Sequence, residues 1–290
     1  MQTHRCDSIN PPEYIAITTA IVSGIFCLFT IPGNFLVCLA VFKDPFKDLR
    51  SPFTLFIAHL AFADLMVGLV TEPLSVYFHI KESLKLPIEH SWLTHMSYFV
   101  SCTASVLSIG ALTVDRYIAI TSPLTYRAKT GSKRTRMVSF VVLFVSLTIP
   151  FVYFKVGYIV YTFVFANTAI VFTFATLLIV QVKIWQTSKS RITSVDHQGM
   201  STSHQKIVLR EKRITKSFVF VLMAFAASYF PSCVIIYSMN FCTSCSCLAI
   251  HWLRDLQFLL VLLNSFVNPL IYAWRLPGFR RALVAIVKRR

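Results

Sequence analysis

Seven stretches of this 290-residue chain are each long and apolar enough to cross a bilayer. They run from Ile15 to Phe42, Pro52 to His79, Ser91 to Thr121, Met137 to Phe154, Val156 to Trp185, Ile214 to Asn240 and His251 to Trp274. A helix needs about 20 apolar residues to cross the hydrocarbon core, whereas a membrane barrel would show alternating segments of about ten. The predicted fold class is therefore an all-α membrane protein, a bundle of seven transmembrane helices. A composition of 56% hydrophobic and 14% charged residues agrees, because soluble domains carry about a quarter charged residues. The odd number of spans and the absence of an internal repeat argue against an inverted-repeat transporter.

The basic residues fix the orientation. With the N-terminus outside, 23 of the 28 Lys and Arg residues face the cytoplasm, and only Arg5, Lys81, Lys85, Lys155 and Arg254 remain outside. The net charge of +16 then describes an inner face beside anionic lipid, so membrane lipid is an expected partner and nucleic acid is not. The expected organisation is an extracellular N-terminus over residues 1–14, the bundle over 15–274 and a tail over 275–290. Within the bundle, Gln186 to Lys212 is rich in Ser, Thr, Lys and His and reads as a partly disordered cytoplasmic loop. In the tail, Phe279, Leu283, Ile286 and Val287 recur at helical spacing among basic residues, which predicts a short amphipathic helix on the inner surface. The first thirteen residues are polar and the first apolar run is too long for a signal core, so no cleaved signal is expected.

Ionisable and kink-forming groups inside the spans are functional candidates by default. Asp64 lies deep in the second span and needs a partner, water or a cation; Glu72 follows in its outer part, beside Pro73. Glu72 reads either as a ligand contact or as an interface carboxylate paired with Lys155 or His95. Arg116 can pair with its neighbour Asp115. Pro269 and Pro231 each remove a backbone donor and predict kinks in the seventh and sixth spans. Of eight cysteines, Cys27, Cys38, Cys102 and Cys233 lie in spans and read as reduced packing residues. Cys6, Cys242, Cys245 and Cys247 lie on the oxidising side and can pair in three ways.

Asp115-Arg116-Tyr117 ends the third span and Asn268-Pro269-Leu270-Ile271-Tyr272 lies in the seventh. Joined to Gly33-Asn34 in the first and Leu60-Ala61-Phe62-Ala63-Asp64-Leu65 in the second, these motifs resemble the rhodopsin-like family of G-protein-coupled receptors across nearly the whole chain. The resemblance implies a receptor for an extracellular small molecule or peptide that activates a heterotrimeric G protein from the plasma membrane. It implies an activation switch of Asp115, Arg116, Tyr117, Glu211, Tyr229, Pro231, Asn268, Pro269 and Tyr272, in which Glu211 pairs with Arg116 in the closed state. It also implies that Asp64, Ser105, Asn264, Ser265 and Asn268 hold an allosteric sodium ion, the alternative being a hydrated polar network. No other cofactor is expected.

The departures from the family pattern are equally specific. Ser91 stands where the third span normally opens with a bridging cysteine, Tyr229 replaces the usual tryptophan, and the fifth span has no proline. The Cys-x-x-Cys of Cys242 and Cys245 resembles the loop bridge of adenosine receptors, while the missing bridge and Cys-rich third outer loop resemble melanocortin receptors. We expect one bridge within Cys242, Cys245 and Cys247, and a second from Cys6 to the remaining loop cysteine. Tyr98 occupies the place of the aspartate of amine receptors, which ranks a biogenic amine low. Ligand-contact candidates are Glu72, His95, Tyr98, Cys102, Ser232, Ile236 and Phe258. No phosphate loop or His-Glu-x-x-His motif points to an enzyme. The competing reading is a receptor-like binding or structural membrane protein that does not signal.

Overall fold

A computed structural model of the chain describes Cys6, residues 9–122, Tyr126, residues 132–165, residues 202–242 and residues 244–288, with Asn167, Phe174, Ala175, Leu178, Val182 and Gln186 between. The helices are α1 (Glu13–Lys43), α2 (Pro52–Ser83), α3 (Trp92–Thr121), α4 (Ser132–Thr148), α5 (described over Tyr158–Phe165), α6 (Thr202–Phe241), α7 (Cys247–Arg275) and α8 (Pro277–Lys288). Six of them are long and apolar enough to span a membrane over their described residues. Large apolar side chains such as Leu28, Phe42, Phe140, Phe144 and Phe230 point outward, as a lipid-facing surface requires, while polar groups including Asn34, Asp64, Arg116 and Asn268 are buried between helices.

Two boundaries and one helix interior differ from the sequence expectation. The segment from Thr202 to Lys212, expected as loop, is the inner extension of α6. Its run of Gln, Lys, Ile, Leu, Arg and Glu contains good helix formers and no Gly or Pro, so the helix continues inward without a stop signal. Residues 187–201 of the expected loop lie outside the described residues. The fourth span does not run regularly to Phe154. It tightens into a 3-10 turn at Ile149–Val152, where Pro150 cannot donate into the ladder, and one further helical turn, Tyr153–Val156, ends at Gly157 with φ 79°. Finally, α2 contains a wide π turn at Val67–Thr71, just before Pro73.

Two glycines set the spacing of α1 against its neighbours. A Cβ on Gly68 would lie 2.9 Å from Ile31 Cγ1 and 3.1 Å from Thr30 Cγ2, so α1 and α2 approach closely at the π turn. A Cβ on Gly33 would meet Pro269 at 3.1 Å. At that contact Asn34 Nδ2 donates to the carbonyl of Ser265 at 3.1 Å. Ser265 lies four residues before Pro269, so its carbonyl is the one the proline leaves without a helical donor. The amide of α1 therefore completes the ladder that the proline of α7 breaks.

The inner and outer faces are fastened differently. Inside, α8 buries Phe279 against Tyr272, with ring centroids 6.1 Å apart, and Arg281 pairs with Asp48 at 2.7 Å. Val287, by contrast, is exposed. Outside, one disulfide joins Cys6 to Cys247 and another joins Cys242 to Cys245. The first pins the N-terminal segment onto the start of α7.

Candidate functional site

The functional groups lie at three depths. At the outer end, a cavity of about 290 Å³ lies beneath the N-terminal segment, lined by Ile9, Asn10, Glu82, Ile236, Arg254 and Gln257 among others. A neighbouring cavity of about 180 Å³ is bounded by His79, Ser91, His95, Tyr98, Asp255 and Phe258 and shares Glu82 and Arg254 with the first. Tyr98 stacks on Phe258 with centroids 5.2 Å apart, and His95 Nδ1 shares a 3.0 Å hydrogen bond with the hydroxyl of Tyr153. Gln257 Nε2 donates to the Tyr98 hydroxyl and, at 3.0 Å, to Ser232 Oγ. One side chain of α7 thus ties α3 to α6 at the floor of the cavity. Cys102 is buried one turn inward of Tyr98.

The structure brings His95, Tyr98, Ile236 and Phe258 to the cavity walls and Ser232 to their hydrogen-bonded floor. It does not bring Glu72. That carboxylate is fully buried against α1, where Oε1 accepts from Thr30 Oγ1 at 3.0 Å and Oε2 has no hydrogen-bond partner; it pairs with neither Lys155 nor His95. The π turn supplies the reason: one extra residue in the turn shifts the following side chains by about 100° around the axis. The charged groups of the two cavities are instead Glu82, Lys85 and Arg254, with Asp255 in the smaller one. Arg254 Nη2 donates to both oxygens of Glu82 at 3.1 Å, and Nε donates to Asp255 Oδ1 at 2.8 Å. Glu82 and Gln257 were not among the sequence candidates. The only signal for Glu82 was its place three residues after His79, which puts both on one helix face.

At mid-depth, Asp64 Oδ1 accepts from Ser265 Oγ at 2.7 Å and Oδ2 from Asn268 Nδ2 at 2.8 Å. Asn264 and Ser105 are buried, and Asn264 Oδ1, Asn264 Nδ2 and Asn268 Oδ1 have no hydrogen-bond partner. Unpartnered buried amide oxygens beside a carboxylate are a donor set that suits a hard cation such as sodium. Tyr229 is buried on α6, stacked on Phe225 with centroids 4.3 Å apart, two residues before Pro231. Tyr272 is fully buried, and its hydroxyl has no hydrogen-bond partner.

At the inner end, Arg116 Nη2 donates to Asp115 Oδ2 at 2.6 Å and to the Tyr126 hydroxyl at 3.0 Å. Tyr126 in turn donates to Asp115 Oδ1 at 2.9 Å, closing a three-membered ring of hydrogen bonds. The guanidinium also lies over the Phe53 ring, 4.5 Å from its centroid. Buried at 1% exposure, the charge of Arg116 is held by a carboxylate, a phenol and an aromatic face, as a desolvated guanidinium requires. Tyr117, next along the helix, is half-buried. Sequence reasoning missed Tyr126, which sits in a connection without hydrophobic periodicity. The side chain of Glu211 lies outside the described residues, and with it the expected pairing to Arg116.

Comparison with known proteins agrees with this arrangement. A family model described as 7 transmembrane receptor (rhodopsin family) matches residues 33–272. Trace amine-associated receptor 9 of Mus musculus is 29% identical over 92% of this chain and 83% of its own length, and its Homo sapiens counterpart is 27% identical over the same shares. An octopamine receptor of Heliothis virescens is 40% identical over 48% of this chain and 28% of its own. The matched region begins at the Gly33-Asn34 contact and ends at Tyr272, enclosing the mid-depth and inner networks. The chain belongs to the rhodopsin family of seven-transmembrane receptors, which are G-protein-coupled receptors and not enzymes.

Proposed function

We propose that this receptor lies in the plasma membrane with its N-terminus outside, binds a small molecule in the outer cavity, and transmits binding to a heterotrimeric G protein through α6. The observation that carries the proposal is Gln257, whose amide holds Tyr98 on α3 and Ser232 on α6 at once. A ligand group that takes one of those hydrogen bonds loosens α6 from α3 directly beside Pro231, whose missing N–H makes a pivot. Stacked on Phe225, Tyr229 carries the motion inward. Tyr272, with a free hydroxyl beside the break at Asn268 and Pro269, has a hydrogen bond to gain by turning. Release of Arg116 from Asp115 and Tyr126 then frees its guanidinium for the G protein. Glu211, on the inner extension of α6, is the second carboxylate we assign to the closed state.

The similar receptors are named for trace amines and octopamine. Here Tyr98 offers no carboxylate on α3, and the outer acids Glu82 and Asp255 are held by Arg254. The ligand we propose therefore has an aromatic or apolar body for Tyr98 and Phe258 and hydrogen-bonding groups for Gln257, and is not a simple amine anchored on α3. For the mid-depth cluster, we assign Asp64, Ser105, Asn264, Ser265 and Asn268 to a sodium site. Sodium supplies positive charge to the carboxylate, and the amide oxygens of Asn264 and Asn268 gain the partner they lack.

The test is G-protein dissociation in cells expressing the full chain, comparing wild type with Arg116→Ala at equal surface expression across a panel of α subunits. The expected result is a ligand-free signal in wild type that falls to the background of untransfected cells in the variant. A wild-type signal that persists unchanged in Arg116→Ala would contradict the inner half of the proposal.

A further inference from the structure

The outer wall of the smaller cavity contains a group of atoms that the transmission scheme does not use. His79 and Glu82 project from one face of α2, and Asp255 faces them from α7. One ligand atom from each, an imidazole nitrogen and two carboxylate oxygens, lie within 4.8 Å of one another. His79 and Asp255 are almost fully withdrawn from solvent, with side chains 12% and 2% exposed.

The orientation of the imidazole is set by its surroundings. His79 Nδ1 lies 2.7 Å from the carbonyl of Ser75, which can only accept, so Nδ1 donates there and Nε2 is the nitrogen turned toward Asp255. Nε2 lies 3.6 Å from Asp255 Oδ2. A positive charge belongs between this ring nitrogen and the carboxylate, and either a proton on Nε2 or a metal ion in its place supplies it. Arg254 does not fill this role: it reaches Asp255 through the other oxygen, Oδ1, and its single charge is shared between Asp255 and Glu82. Histidines that bind metals typically donate their second ring nitrogen to a carbonyl in this way, and ligating carboxylates are themselves hydrogen-bonded. Asp255 Oδ2 meets the second condition by accepting from Thr19 Oγ1 of α1 at 2.9 Å.

We propose that His79, Glu82 and Asp255 form an extracellular binding site for zinc or a similar divalent transition-metal ion. One nitrogen and two oxygen ligands suit zinc, and a three-residue site leaves a fourth position for water or a ligand group from the cavity that these residues line. Occupancy would join α2 to α7, with α1 held through Thr19, at the wall of the proposed ligand cavity. Magnesium, which keeps its waters and prefers an all-oxygen octahedron, fits this donor set poorly. The site is independent of G-protein coupling, so it and the transmission scheme can fail separately.

The experiment is thermal unfolding of the purified full chain in detergent at neutral pH, titrated with zinc chloride and, separately, magnesium chloride. Micromolar zinc is expected to raise the unfolding temperature saturably, and magnesium to leave it unchanged. His79→Gln and Glu82→Gln should each weaken the apparent zinc affinity by more than about tenfold. Glu82 sits at the rim of the bundle, so its variant keeps the test decisive where the buried histidine variant does not fold. No saturable zinc effect in wild type, an equal effect from magnesium, or an undiminished zinc effect in a folded variant would each overturn the proposal. Undiminished binding in the variants would assign the effect to other outer histidines such as His90 or His251.

Discussion

Asn34 replaces the backbone donor that Pro269 lacks, so its contribution is the hydrogen bond to a buried carbonyl that would otherwise stand alone. Asn34→Leu should cost about 1 to 2 kcal/mol, the range for an orphaned carbonyl and for interhelical hydrogen bonds in membranes. Thermal unfolding of the purified variant measures it, and an unchanged midpoint would show that Ser265 finds another donor. Tyr126 is the inner counterpart. Its hydroxyl both donates to Asp115 and accepts from Arg116, so Tyr126→Phe should loosen the closed inner face without emptying its volume. A rise of about two- to tenfold in ligand-free G-protein dissociation is expected from the loss of about 1 kcal/mol of closed-state preference. Basal activity equal to wild type at matched expression would make the ring of hydrogen bonds a packing feature only. At mid-depth, Asp64→Asn removes the charge that sodium would neutralise. Replacing sodium with a bulky inert cation should alter ligand-free signalling in wild type and leave the variant indifferent; a wild type that does not respond to sodium contradicts the ion site.

The helices themselves were largely legible before the fold, because apolar length and the placement of basic residues are properties of the chain alone. The motif residues Asp64, Ser265 and Asn268 also meet as the family resemblance implies. What escaped the sequence was rotation and reach. Glu72 reads as a cavity residue or as a carboxylate paired with Lys155 or His95, yet the π turn at Val67–Thr71 turns it to Thr30, and nothing in Val-Gly-Leu-Val-Thr distinguishes a wide turn from a normal one. The inner part of α6 reads as loop because its polar composition resembles a linker, whereas its helix-forming residues carry the helix beyond the apolar span. Tyr126 and Gln257 act across helices, and a single sequence carries no record of such pairings. Among the connections, the Cys6–Cys247 disulfide closes a separation of 241 residues. In the chain-entropy model such a closure is worth up to about 5 kcal/mol, with measured values often lower. Cys6→Ser should therefore lower the unfolding midpoint, expose one new free thiol at Cys247, and release the N-terminal segment from the cavity it covers. Peptide mapping of the oxidised protein that found Cys6 unpaired would contradict this.

At the scale of the molecule, the bundle places three polar networks one above another in an apolar shell. The outer network of Glu82, Arg254, Asp255 and Gln257 borders the cavity, the middle one surrounds Asp64, and the inner one encloses Arg116. Burying polar groups in this way is costly unless each is paired, so a conformational change that trades partners at one level alters the balance of the whole bundle. The family's activity follows from a bundle with two such balances, one that holds the inner face closed and one that opens it to the G protein. The central claim is that the Asp115, Arg116 and Tyr126 cluster holds the closed one. The most direct measurement is ligand-free G-protein dissociation by Asp115→Asn, which keeps the side chain's shape and removes the charge bonded to Arg116 at 2.6 Å. At surface expression matched to wild type, the variant should signal several-fold more without ligand, and a signal equal to or below wild type would contradict the account.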